Sequence, residues 1–130
     1  MSTEHDTDTD PTHWALLAAR AAAAKGGNDP VVLDVGSVVA ITGAFVIVSA
    51  GNSRLVRTLV DEVEAKITEA GGPKPRRVEG RDTLQWVLVD YGDFVVHVFD
   101  DEARAFYELE RLWSDVPRLE WDEPPAAAEA

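Results

Sequence analysis

The chain has 130 residues, with 24 Asp and Glu against 12 Lys and Arg, a formal net charge of -12 and no cysteine. That length supports one compact domain with a real core and excludes two of ordinary size, while the missing cysteines exclude disulfides, thiolate metal sites and cysteine nucleophiles. The acidic balance excludes a long phosphate-neutralising stripe, so direct nucleic-acid contact is expected to be slight.

Residues 1–11, rich in Asp and Thr, cannot bury enough apolar surface to offset chain ordering and are expected to form a disordered acidic tail. Residues 1–13 hold four acids and no Lys or Arg, and residues 114–130 hold five acids against Arg118, leaving 15 acids and 11 bases in residues 14–113. WALLAARAAAAK, from Trp14, has the alanine content and apolar spacing (Trp14, Leu17, Ala18, Ala21) of a helix ended by Gly26-Gly27. VVLDV (Val31 to Val35) and FVIVSA (Phe45 to Ala50) are short β-branched runs of the kind that form strands buried on both faces. Asn52 or Ser53 can cap a helix that runs toward Ala70, with Leu55, Val56, Leu59, Val63 and Ile67 on its inner stripe.

A third strand is predicted within Arg76 to Val78, before Glu79-Gly80. WVLVDYGDFVVHVF, Trp86 to Phe99, then reads as a hairpin: alternation puts Trp86, Leu88 and Asp90 on one face of the first strand, and Phe94, Val96 and Val98 on one face of the second. Tyr91-Gly92 supplies the turn, since glycine accepts the positive φ that tight hairpin loops demand. Asp100-Asp101-Glu102 places negative charge at the start of a last helix, where the macrodipole favours it, and that helix is expected to end near Trp113-Ser114. Residues 116–130, rich in Pro, Ala and Glu, read as a second acidic tail, so the domain is expected to occupy residues 12–115. The order α, β, β, α, β, β, β, α gives an α/β fold: a mixed sheet of about five strands flanked by helices.

Four segments in one order, SAGNSRLV (Ser49 to Val56), VEG (Val78 to Gly80), the hairpin and FYELERLW (Phe106 to Trp113), resemble the ribosomal silencing factor family, also called Iojap or DUF143. The resemblance covers about Trp14 to Asp115. It departs before the second strand, where the family usually carries Thr-Asp and this chain has Thr42-Gly43. The resemblance implies a fold related to nucleotidyltransferases and a non-enzymatic factor that binds the large ribosomal subunit through ribosomal protein L-fourteen. It further implies that subunit association is blocked by occlusion. It also places the Trp86, Leu88 and Asp90 face near the partner-binding surface.

Asp90, Asp93 and His97 lie close in sequence at the hairpin tip, a pattern compatible with a metal, an acid–base pair, a structural histidine or a partner contact. A nucleotidyltransferase would follow its Gly-Ser turn with paired acids that hold two Mg²⁺ ions; Gly36-Ser37 is present, but no Asp-x-Asp follows within FVIVSA. The Ser49 to Ser53 loop lacks the Gly-Lys-Ser/Thr ending of a P-loop and the three-glycine dinucleotide pattern, so capping is its default role. No catalytic residue, cofactor or metal is therefore assigned. The partner-binding candidates are Glu79, Trp86, Asp90, Tyr91, Asp93 and His97, because aromatic anchors beside carboxylates suit a basic protein.

The alternative function is a metal-dependent nucleotidyl or phosphoryl transferase using Asp90, Asp93 and Asp34. The chain is expected to be cytoplasmic, without membrane contact, and a monomer or weak homodimer. Deleting residues 1–11 and 118–130 is expected to leave the fold nearly intact.

Overall fold

The computed structural model describes residues 11–39 and 42–122. Its elements are α1 (Pro11–Ala24), β1 (Asn28–Asp34), β2 (Ala44–Ala50), α2 (Ser53–Glu69), β3 (Arg77–Glu79), β4 (Trp86–Asp90), β5 (Phe94–Asp100), α3 (Asp101–Tyr107), α4 (Leu109–Leu112) and β6 (Arg118–Leu119). The expected first tail lies outside the described residues except for Pro11, which opens α1.

Six strands form one sheet in the order β3-β4-β5-β2-β1-β6. The central pair, β2 and β5, is parallel, Ala44 facing Phe94 and Ala50 facing Asp100; every other pair is antiparallel. This is the expected mixed α/β sheet, one strand larger than the sequence suggests.

One sheet face is covered by α1 and α2. Ala15, Ala18, Ala19 and Ala22 of α1 are fully buried, and such small residues let the helix lie close to its neighbours. Val56, Leu59, Val60, Val63 and Ile67 form the buried stripe of α2, whose first turn is capped by Asn52: its Oδ1 accepts the Leu55 N–H at 2.8 Å. These side chains meet Val46 and Val48 from β2, Val87 and Val89 from β4, and Phe94, Val96 and Val98 from β5. The opposite face holds a smaller core, Leu33, Val35, Ile47, Phe99 and Val116, packed by Ala103, Leu109 and Trp113.

Two expectations are corrected here. The last helix is two helices, α3 and α4, because Glu108 adopts a left-handed conformation (φ 48°) between them. Asp100 caps α3 through its Oδ1, which accepts the Ala103 N–H at 2.7 Å. Residues 116–122 are part of the fold and not a tail. Val116 is buried, Arg118 and Leu119 pair with Leu33 and Val32, and the Trp121 indole donates to the Pro30 carbonyl at 2.7 Å. The physical reason is the open edge of β1, whose unpaired backbone groups need partners; the Asp34 N–H donates to the Pro117 carbonyl at 2.9 Å. Residues 123–130 lie outside the described residues.

Candidate functional site: an open sheet face with an aromatic border

The second face of the sheet is only half covered by α3 and α4. Over β2, β4 and β5 it opens into a groove of about 600 Å³ lined by Val39, Thr42, Phe45, Arg76, Arg77, Leu88, Asp90, Gly92, Val95 and His97. Strand register explains the assembly. Leu88 faces His97 across β4 and β5, Phe45 pairs with Val95 along β2 and β5, and Glu79 of β3 faces Leu88. Residues opposed in register project on the same side.

Trp86 stands at the border between groove and helices. Its ring centroid lies 4.8 Å from that of Phe99 and 4.9 Å from that of Tyr107, which in turn meets Phe106 at 4.9 Å. Phe106 is 78% exposed, so this aromatic path reaches the surface. The Trp86 indole N–H donates to His97 Nδ1 at 3.1 Å. An indole nitrogen can only donate, so Nδ1 is the acceptor and the imidazole proton sits on Nε2. Burial pushes the His97 imidazole down to about 4, which keeps it neutral at physiological pH.

Asp90 is half-buried and already engaged. Its Oδ1 accepts the Gly92 N–H at 2.8 Å, which fixes the turn, and its Oδ2 lies 3.4 Å from Arg77 Nε. The same Arg77 nitrogen lies 3.4 Å from Glu79 Oε2. The rim is thus a Glu79, Arg77 and Asp90 chain of charges in which both carboxylates share one cation. Gly80 follows with φ 93°, and a β-carbon there would collide with the Trp86 carbonyl oxygen, which explains the glycine of the Val-Glu-Gly segment.

The structure therefore brings Glu79, Trp86, Asp90 and His97 onto one face. Tyr91 is not among them: it is 5% exposed, stacks on Phe94 at 4.5 Å and belongs to the core under α1 and α2. Burial, with the Glu64 carboxylate adding to it, holds its phenol above the ordinary range. Asp93 is exposed in the three-residue turn, where its carbonyl accepts the Gly43 N–H at 2.7 Å. Sequence reasoning missed Phe45, Val95 and the two arginines. Alternation in FVIVSA marks Phe45, Ile47 and Ser49 as one face, but only the parallel β2–β5 pairing puts that face beside His97.

Among the described residues no group of three or more His, Asp or Glu is arranged to hold a metal ion. Of the carboxylates named for a transferase, Asp34 accepts the Gly36 N–H at 3.3 Å and Asp90 braces the hairpin turn. Both are used by local backbone. Among the described residues, no helix is long and apolar enough to cross a membrane.

Fold and site together define a small α/β domain with one helix-covered face and one open face bordered by aromatic and charged side chains. Residues 8–130 match the family described as ribosomal silencing factor during starvation. The chain belongs to the ribosomal silencing factor family. It is 36% identical to the ribosomal silencing factor RsfS of Halalkalibacterium halodurans over 104 residues, covering 80% of this chain and 88% of that one. The Bacillus subtilis protein of the same name is 35% identical over 106 residues, covering 82% and 89%. The chloroplastic protein Iojap of Zea mays is 32% identical over 119 residues, covering 90% of this chain and 50% of the maize protein. A crystal structure from Chromobacterium violaceum superposes with a TM-score of 0.77 at 29% identity, covering 91% of this chain and 97% of that chain. One from Bacillus halodurans gives 0.72 at 32%, covering 84% and 98%.

Proposed function

We propose that this chain represses translation by binding the large ribosomal subunit through ribosomal protein L-fourteen and excluding the small subunit by its bulk. Occlusion needs no covalent step, and relatives carry names of silencing factors and not of enzymes. The observation that carries the reading is the open face on which Trp86, Leu88, Asp90 and His97 meet beside exposed Glu79. Aromatic surface beside carboxylates suits a basic ribosomal protein: the rings supply contact area, and the rim acids of a chain with net charge -12 steer the encounter. The cytoplasm follows as the place of action.

The test is co-sedimentation of the purified chain with isolated large subunits, small subunits and assembled ribosomes. Binding should be confined to free large subunits. Added before mixing, the chain should lower the light-scattering rise that reports subunit joining, with saturation near one molecule per large subunit. Binding only to small subunits, or full inhibition far below one molecule per large subunit, would exclude occlusion from the large side.

A further inference from the structure

The groove contains a polar group that has no partner among the described residues. His97 is 5% exposed, and its Nε2, which carries the proton once Nδ1 accepts from Trp86, is buried with no hydrogen-bond partner among the described residues. The Thr42 hydroxyl, buried in the same groove, likewise has no partner among the described residues. Phe45, Leu88 and Val95 give the same groove an apolar lining, beside the charged Arg76, Arg77 and Asp90. A buried donor is costly when it lacks an acceptor, so an occupant that supplies one gains contact strength at this point that it would not gain on the exposed rim.

We propose that His97 Nε2–H is the inner contact of the docking face, donating to a neutral acceptor oxygen, such as a backbone carbonyl, on a protruding segment of the basic protein partner. Through Nδ1 the same ring holds Trp86 in place beside that segment. The inference rests on the docking reading above and adds the chemistry by which the groove selects its occupant. A neutral acceptor fits because the donor is an uncharged imidazole beside apolar Phe45, Leu88 and Val95, where a buried carboxylate is costly; of the charged side chains lining the groove, Asp90 is paired with Arg77, and Arg76 is exposed. Cationic side chains on the flanks of the segment would meet Glu79 and Asp90 at the rim.

Two measurements test it. Long-range ¹H–¹⁵N correlation of the imidazole nitrogens in the free protein should show His97 as the Nε2–H tautomer at neutral pH; the Nδ1–H tautomer would overturn the proposal without any variant. In co-sedimentation with isolated large subunits, His97→Asn retains an oxygen for the Trp86 indole but no donor at the Nε2 position. It should keep the melting temperature and the Trp86 indole N–H resonance while binding about ten-fold more weakly. Wild-type affinity in that variant, or a loss accompanied by displacement of the Trp86 resonance, would reduce His97 to a structural residue and overturn the proposal. His97→Gln, which carries an amide N–H toward the Nε2 position, should bind more tightly than His97→Asn, and the reverse order counts against a donor role. Failure of the wild-type chain itself to co-sediment would instead remove the docking reading, and the wild-type sample alone reveals that.

Discussion

Arg104 and Glu110 meet at 2.9 Å although they are six residues apart in a segment whose helical pattern looks continuous. In an unbroken helix they would point about 120° apart around the axis. The left-handed Glu108 turns α4 back so that the carboxylate reaches the guanidinium. Arg104 also donates to the carbonyls of Asn28 and Asp29 and to Ser49 Oγ, tying the last helices to the start of β1 and the end of β2. Its side chain is only 11% exposed, so Arg104→Ala leaves a half-buried carboxylate and two carbonyls without their partner. The expected loss is about 3 kcal/mol of stability, measured by urea denaturation. A loss within the range of ordinary surface changes would show that the kink is held by packing alone.

Stability should depend on pH through His97. In the folded chain burial pushes its imidazole down to about 4, whereas the unfolded residue titrates near its ordinary value of 6.5. Between those values the unfolded state binds more protons, so stability rises with pH across that window and levels off above it. The contribution lost at the acid end is on the order of 3 kcal/mol. The readout is the difference between wild type and His97→Asn in denaturation midpoints from pH 4 to 7. Parallel profiles would assign the acid sensitivity to other groups.

The docking face proposed above should make separable demands on area and charge. Trp86→Ala, compared at matched folding, should weaken large-subunit binding by about 2 kcal/mol, roughly thirty-fold. Glu79→Lys leaves the sheet core untouched, because Glu79 is exposed. It should slow association more than it speeds dissociation, and added salt should shrink the difference. A salt-independent Glu79 effect would point to direct contact and not to steering.

Trp121 measures how firmly the final strand is held. Its indole donates to Pro30, its carbonyl accepts from Arg20 Nε at 2.6 Å, and its ring packs against the main core. Trp121→Ala should cost about 2 kcal/mol, and removal of residues 116–130 should cost more by thermal unfolding. An unchanged melting temperature after truncation would mean that β6 adds nothing to the edge of β1.

Most of the fold could be read from the residues, and the exceptions have physical causes. The β-branched runs of β2 and β5, the stripe of α2 and the alternation of β4 follow from periodicities of 2 and 3.6 that tertiary context did not override. The helix break at Glu108 could not be foreseen, because it depends on Arg104 finding Glu110 and two carbonyls from the other end of the chain. β6 was hidden by its Pro- and Glu-rich surroundings, although Val116, Leu119 and Trp121 already marked an apolar set. For the site, alternation alone aligned Trp86, Leu88 and Asp90. Tyr91 sits beside them in sequence but turns into the opposite core, because it continues the odd-numbered alternation of Val87 and Val89. Phe45 joins the face through a pairing between strands far apart in sequence, which no local pattern encodes.

That distant pairing sets a timetable for synthesis. β2 emerges early, yet its hydrogen-bonding partner β5 spans residues 94–100. Neither the centre of the sheet nor the proposed docking face can close until the chain has been made at least that far, since Phe45 must wait for Val95 and His97. Pairings of such long range form late and slowly compared with helices. Until β5 has been made, the product therefore lacks the face proposed here for docking.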